Sequence, residues 1–326
     1  VIFVNRSYKG YAPSVYMDGW EYGSILEKIS GSMPEATENE SWELQNGKSY
    51  DPNVFYQPKV QAKFFNSKTT FEVDQSFTEK QVKSAFSSAT QMNAFLSMLK
   101  NEVEKSLTVQ SDSLVMRTIN NMTAQTLHSG GARVVNLLTL FNQAYASKLR
   151  SPLTAGEAIH TPEFIRYASY IMSLYTQRLA NMSEIFNMGG QKRFTPSDKL
   201  HIVLLDEFAK SSDIFLQSDV YHNELTKFPK AETVAFWQGS GTNYNYNDTS
   251  AINVKIKSAD SADGIVVTQT GILGIMFDRD ALGVCNIDRR VTTNYNPKAE
   301  FFTNFHKYEA GYFNDGDENF VVFIAS

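Results

Sequence analysis

Residues 54–77 hold two alternating stretches that cannot bury their own apolar face. Tyr56, Val60, Ala62 and Phe64 alternate with Gln57, Lys59, Gln61 and Lys63, and Phe71, Val73 and Phe77 alternate with Glu72, Asp74 and Ser76. A period of two is the pattern of strands. A two-residue loop at Asn66-Ser67 pairs Ala62 with Phe71, Val60 with Val73 and Tyr56 with Phe77 on one face, while Lys59 meets Asp74 and Gln61 meets Glu72 on the other. A two-stranded hairpin is marginal alone in water. The sequence therefore predicts that the face bearing Val60, Ala62, Phe64, Phe71 and Val73 rests on something outside the hairpin.

The rest of the chain supplies helices and strands in separate blocks. Residues 1–50 are broken by Gly10, Pro13, Gly19, Gly23, Gly31 and Pro34 and read as an extended arm, with a short helix at most from Tyr22 to Ile29. Thr78 with Gln81, and Ser88 with Gln91, have capping-box spacing ahead of Met92, Leu96, Leu99 and Val103, which predicts a helix to about Lys105. A second helical stretch carries Val115, Ile119 and Met122 and stops before Gly130-Gly131. A third opens with Thr161 as N-cap and Pro162 at the first helical position, runs through Ile165, Ala168, Met172, Tyr175 and Leu179, and ends at Gly189-Gly190. Strands are expected at Leu200–Leu205, 233–237, 252–256 and 264–277, then as a long pair around Asn296-Pro297-Lys298, and at 320–324 after the turn Asn314-Asp315-Gly316-Asp317. The fold class is α+β.

Composition narrows the function. Thirty basic against 35 acidic residues, a net charge of −5, do not suit a protein whose affinity comes from neutralising phosphates. One cysteine, Cys285, allows neither an internal disulfide nor a thiolate zinc cluster, as expected in a reducing cytoplasm. No apolar run approaches the ~20 residues of a membrane helix, so no membrane partner is expected. Aromatics at 13% against only 20% charged residues favour burial between subunits.

No catalytic, cofactor-binding or metal site emerges. Ile202-Val203-Leu204-Leu205-Asp206-Glu207 has the form of an acidic strand end that holds magnesium, but Gly47-Lys48-Ser49 lacks the earlier glycine and preceding strand of a phosphate loop. His128, His160, His201, His222 and His306 stand apart without metal-ligand spacing. Asp278 and Asp280 suit a turn better than a cation, as do Asp315, Asp317 and Glu318, and no G-x-S-x-G is present.

The order of arm, long hairpin, long helix, mixed middle, long strand pair and last strand resembles the major capsid protein of tailed bacteriophages with the Hong Kong 97 type fold. The tract from Thr270 to Gly283, with Asp278-Arg279-Asp280-Ala281-Leu282 as a D-x-[DE]-A-L turn, looks like that family's late strand and turn. The resemblance implies an N-terminal arm over 1–50 and an extended hairpin, the E-loop, over 51–77. It further implies a peripheral domain of spine helix and long strands over 78–107 and 284–313, and an axial domain over 108–283 and 314–326. The apolar hairpin face then becomes an inter-subunit contact. Implied partners are other copies of the chain in hexamers and pentamers, portal and scaffolding proteins, and nonspecifically touched double-stranded DNA, in a virion shell assembled in the host cytoplasm. Some relatives cross-link an E-loop lysine to a neighbour's asparagine. Lys63 or Lys68 with Asn294 or Asn296 fit such places, yet those lysines fit a solvated hairpin face equally well. Rival readings are an encapsulin-like nanocompartment shell and a nucleotide hydrolase using Asp206 and Glu207.

Overall fold

The run Ile272–Asp278 is buried at every position. A strand tolerates this only with hydrogen-bonded neighbours on both edges and cover on both faces. The computed structural model describes residues 5–17, 25–80, 88–145, 151–217, 231–237, 239–240, 243–244, 251–258 and 261–326. In chain order these carry β1 (Leu26–Gly31), β2 (Val60–Phe65), β3 (Lys68–Thr78), α1 (Ala89–Ser129), β4 (Val134–Asn136), α2 (Leu137–Tyr145), α3 (Ala155–Ala158), α4 (Pro162–Ala180), β5 (Leu200–Leu205) and α5 (Asp206–Gln217). They continue with β6 (Ala231–Val234), the short β7 (Gly239–Ser240) and β8 (Asn243–Tyr244), β9 (Ile252–Ser258), β10 (Ser261–Gln269), β11 (Ile272–Asp278), β12 (Leu282–Asn296), β13 (Phe301–Asn314) and β14 (Phe320–Ile324). The class is α+β, as expected.

Strand β11 is the middle of a five-stranded sheet in the order β4-β14-β11-β5-β6. The expected single strand over 264–277 is in fact two, β10 and β11. Gly271 between them sits at φ +68, where any side chain would strike the Ala325 carbonyl. Helix α4 buries Phe164, Ile165, Ala168, Met172, Tyr175 and Leu179, with Tyr175 edge-on to Phe323 of β14 at 5.3 Å. It ends at Ala180 rather than at Gly189-Gly190. There the Asn181 amide donates to the Gln177 carbonyl at 3.0 Å, and the Thr195 N–H takes the Leu179 carbonyl at 2.7 Å.

The two helices expected around residues 89–105 and 115–122 form one helix of 41 residues, about 60 Å long. Ser88 caps it by accepting the Gln91 N–H at 3.3 Å; the Thr78 to Ser87 part of the expectation falls largely outside the described residues. No glycine or proline interrupts the segment. Its buried side includes Ser111, Thr118, Asn120, Thr123 and Thr126 among the apolar residues, which breaks the apolar periodicity in the sequence. Thr118 and Thr126 are satisfied by donating to the carbonyls of Leu114 and Met122 at 2.8 and 2.9 Å.

The hairpin predicted across Asn66-Ser67 does not form. β2 pairs antiparallel with β1, placing Ala62 opposite Ile29, and β3 pairs with β13, placing Phe71 opposite Tyr308 and Val73 opposite His306. A two-residue hairpin needs positive φ at its centre, and among the described residues Glu300 is the sole non-glycine with positive φ. Instead β3 joins the long pair β12–β13 in a three-stranded sheet, where Phe71 stacks on Tyr308 and Phe77 on Phe302. The short helix expected over Tyr22 to Ile29 is contradicted from residue 25 onward: Leu26–Gly31 is strand β1.

Arm residues 5–17 lie across the body. The Tyr11 N–H donates to Asp112 at 3.0 Å, Tyr16 bonds Ser111 at 2.6 Å, and the Ser14 N–H donates to Glu232 at 2.9 Å. Tyr16 and Val284 form a parallel bridge, closed by the Met17 N–H on the Val284 carbonyl at 3.0 Å and the Val284 N–H on the Val15 carbonyl at 3.1 Å. Leu179 is fully buried between α4 and the sheet, so Leu179→Ala should cost ~2–5 kcal/mol of subunit stability. Denaturant unfolding of the purified subunit checks this; an unchanged midpoint would show that α4 lines no core.

Candidate inter-subunit surface

β1 and β2 form a two-stranded ribbon with one face outward and one inward. In β1, residues 25, 27, 29 and 31 are exposed and 26, 28 and 30 half-buried; in β2, Lys63 and Phe65 turn inward. The outward face therefore carries Ile29, Val60 and Phe64, exposed by 65%, 65% and 64%, with Ala62 between them. Beyond the ribbon, the loop over 32–59 presents Trp42, Phe55 and Tyr56 almost fully to water. Among the described residues nothing covers this apolar area.

The inward face is ionic. Lys28 and Lys63 stand directly opposite each other across the ribbon, an arrangement that repels unless neutralised. The turn after β13 supplies the neutralisation. Lys28 reaches Asp315 and Glu318, each at 2.8 Å, and Lys63 reaches Asp315 at 2.8 Å and Asp317 at 2.5 Å. Lys28 also donates to the Asp280 carbonyl at 3.1 Å, and Arg193 lies 3.6 Å from Glu318. Asp315 itself is 2% exposed. Burial works to raise its carboxyl, and the hydrogen bonds from Lys28 and Lys63 outweigh that and hold it below the ordinary 3.8. For Lys63, burial works to lower the ammonium, and bonds to Asp315 and Asp317 hold it above 10.5.

Backbone fixes the carboxylates. The Asp315 N–H donates to the Ala281 carbonyl at 2.7 Å, and the N–H groups of Met188 and Gly189 both donate to the Gly316 carbonyl, at 2.8 and 3.0 Å. Any side chain at Gly189 would collide with the Asp317 carboxylate. The turn Asp278-Arg279-Asp280-Ala281-Leu282 forms as expected, with the Ala281 N–H on the Asp278 carbonyl at 2.8 Å.

The five residues read as one contact face are thus split. Val60, Ala62 and Phe64 share the outward ribbon face, whereas Phe71 and Val73 lie on β3, half-buried and packed on the subunit's own core. Lys63, read as solvated, is part of the ionic seat, and Lys68 faces Glu309 at 3.8 Å. Asp315, Asp317 and Glu318 do make a turn, one that also binds two lysines. Asp206 opens α5 and pairs with Lys210 at 2.6 Å, while Gly47 lies in an exposed turn of the 32–59 loop. Sequence reasoning missed Ile29 and Lys28, because Leu26 and Ile29 are three apart and fall on opposite faces of β1, leaving no period-two signal.

An α+β subunit with one 41-residue helix, a two-stranded ribbon and a three-stranded sheet of long strands is a capsid architecture of the Hong Kong 97 type. The fold matches the capsid of Staphylococcus phage Andhra with TM-score 0.64 at 9% identity, covering 100% of this chain and 87% of that one. A chain in a structure described as the head fiber and inner core protein of native bacteriophage P68 matches with TM-score 0.60 at 10% identity, covering 100% and 87%. The capsid of Cyanophage P-SCSP1u matches with TM-score 0.52 at 10% identity, covering 100% and 92%. No curated protein sequence matches. The chain belongs to the phi29-like phage major capsid protein family, whose profile matches residues 1–324.

The signs of the ionic seat set its pH range. Asp315, with a depressed value, contributes stability above the ordinary carboxyl value of about 4, lost as pH falls through its lower folded value; Lys63, with a raised value, contributes below ~10.5, lost as pH rises past it. Amide exchange in β1 and β2, corrected for intrinsic rates, should be flat from about pH 5 to 9 and accelerate below about pH 4. Acceleration between pH 5 and 7 would contradict the seat.

Proposed function

We propose that this major capsid protein is the repeating subunit of an icosahedral head that encloses the double-stranded DNA of a tailed phage. It assembles as hexamers and pentamers in the host cytoplasm, with portal and scaffolding proteins as further partners. The observation that carries the reading is the ribbon whose outward face of Ile29, Val60, Ala62 and Phe64 has no cover among the described residues. Its pairing of β1 with β2 supports taking residues 25–65 as the extended loop, in place of 51–77. The pairing of β3 with β13 supports grouping β3 with residues 284–313 and the first half of α1 as a peripheral unit. Residues 108–283 and 314–326 then make the axial domain, with the boundary at 107 crossing the continuous helix α1. With a net charge of −5, contact with DNA is nonspecific. The role is structural and involves no catalysis.

Charge placed on the two faces separates them. Val60→Asp with Phe64→Asp puts carboxylates into the inter-subunit contact but leaves the free subunit in water, so melting should stay near wild type while assembly fails. Phe71→Asp desolvates a charge against the subunit's own core and loses the stacking on Tyr308, and should cost on the order of several kcal/mol before any assembly. Calorimetry, with electron microscopy of the products, reads both. Normal particles from the first variant would sink the assignment. Particles carrying an enzyme cargo in place of DNA would turn the reading to a nanocompartment.

A further inference from the structure

Among the described residues the ribbon has no strand partner beyond its own two strands. Its ends are tied to each other, the Ser32 N–H donating to the Lys59 carbonyl at 2.9 Å, so it moves as one piece. What seats it is the contact of Phe65 with Phe313, rings 5.2 Å apart, and the ion pairs of Lys28 and Lys63. The carboxylate side of those pairs is fixed to the body by backbone bonds at Asp315 and Gly316. The lysine side belongs to the ribbon.

We infer that Lys28 and Lys63 are positioning residues that set the angle at which the ribbon offers its apolar face to a second copy of this chain, with Asp315, Asp317 and Glu318 as the catch. This rests on the reading of the ribbon as an inter-subunit contact and says how that contact is aimed. Three features support it. The lysines are mutual neighbours across the ribbon, so an unseated ribbon carries an unneutralised like-charge pair and returns to the seat. Their side chains are 22% and 28% exposed, open enough for salt to reach. Removing only the charge leaves, among the described residues, the Phe65–Phe313 contact and the short link Asn66-Ser67 into β3, with the Tyr312 N–H on the Ser67 carbonyl at 3.1 Å, a pivot in place of a seat.

The test compares wild type, Lys28→Gln with Lys63→Gln, and Lys28→Arg with Lys63→Arg, in the full chain. In the Gln pair, amides of β1 and β2 should exchange about tenfold faster or more while β11 and β14 keep their protection, and assembled particles should lose a single diameter. The Arg pair should restore both. At ~1 M salt, where the screening length is about 3 Å, wild type should move toward the Gln pair, and the Gln pair should not respond. Wild-type exchange and particle size in the Gln pair, or an equal salt response in both, overturns the inference. If the Gln pair does not fold, the salt response of wild-type ribbon amides decides alone, no acceleration counting against it. Normal assembly of the Val60→Asp, Phe64→Asp variant would defeat the contact reading, leaving ribbon exchange to judge the catch.

Discussion

Asp315 is almost out of water and within 2.8 Å of two lysines from a ribbon that, among the described residues, shares no strand pairing with the rest of the subunit. Taken together the site has three cations, Lys28, Lys63 and Arg193, against three carboxylates, Asp315, Asp317 and Glu318. Breaking such a group by removing one side leaves buried charge without a partner, which is costly even though forming it from water gains little. The arrangement is thus better at fixing a position than at adding stability. A shell subunit needs that property, because its loops must reach a neighbour at a defined angle.

The carboxylates sit in the turn between β13 and β14, so they connect on one side to the long strands β12 and β13 and on the other to the buried sheet. β14 pairs with β11 from Ile272–Ile324 to Phe277–Phe320, and β13 pairs with β12 along its whole length. A force on the ribbon therefore meets the best-packed part of the molecule within a few residues. The arm is held at the same junction by different chemistry. Asp112 accepts from the arm backbone in the middle of α1, where burial raises its carboxyl above the ordinary value despite the bonds from Tyr11 and Ala12. Ribbon and arm are both held by polar tethers, and the ribbon's outward apolar face has no cover among the described residues, consistent with a chain of 13% aromatic and only 20% charged residues.

Element type was legible in the sequence wherever a local rule decided it. Ser88 caps α1, Pro162 opens α4, the Asn296-Pro297-Lys298 turn joins β12 to β13, and the apolar run at 200–205 is β5. Strand partners were not legible. Alternation states that Ala62 and Phe71 lie on strands but not that their partners are Ile29 and Tyr308, more than thirty and two hundred residues away along the chain. The same limit hid the seat: Lys28, Lys63 and Asp315 lie in three separate segments, and each alone reads as solvated surface or turn. Helix α1 was divided because its buried face is partly polar, with Thr118 and Thr126 bonded to the helix backbone, Ser111 to the arm and Asn120 donating to the Trp237 carbonyl.

The central claim is that the outward ribbon face is buried by another copy while the inward lysines stay on their own subunit's carboxylates. A cryo-electron microscopy reconstruction of the assembled particle, at a resolution that shows side chains, tests it most directly. The account predicts Ile29, Val60 and Phe64 against a neighbouring subunit, with Lys28 and Lys63 still at Asp315. It is contradicted if that face remains in solvent in the shell, or if the lysines are found on a different subunit's carboxylates.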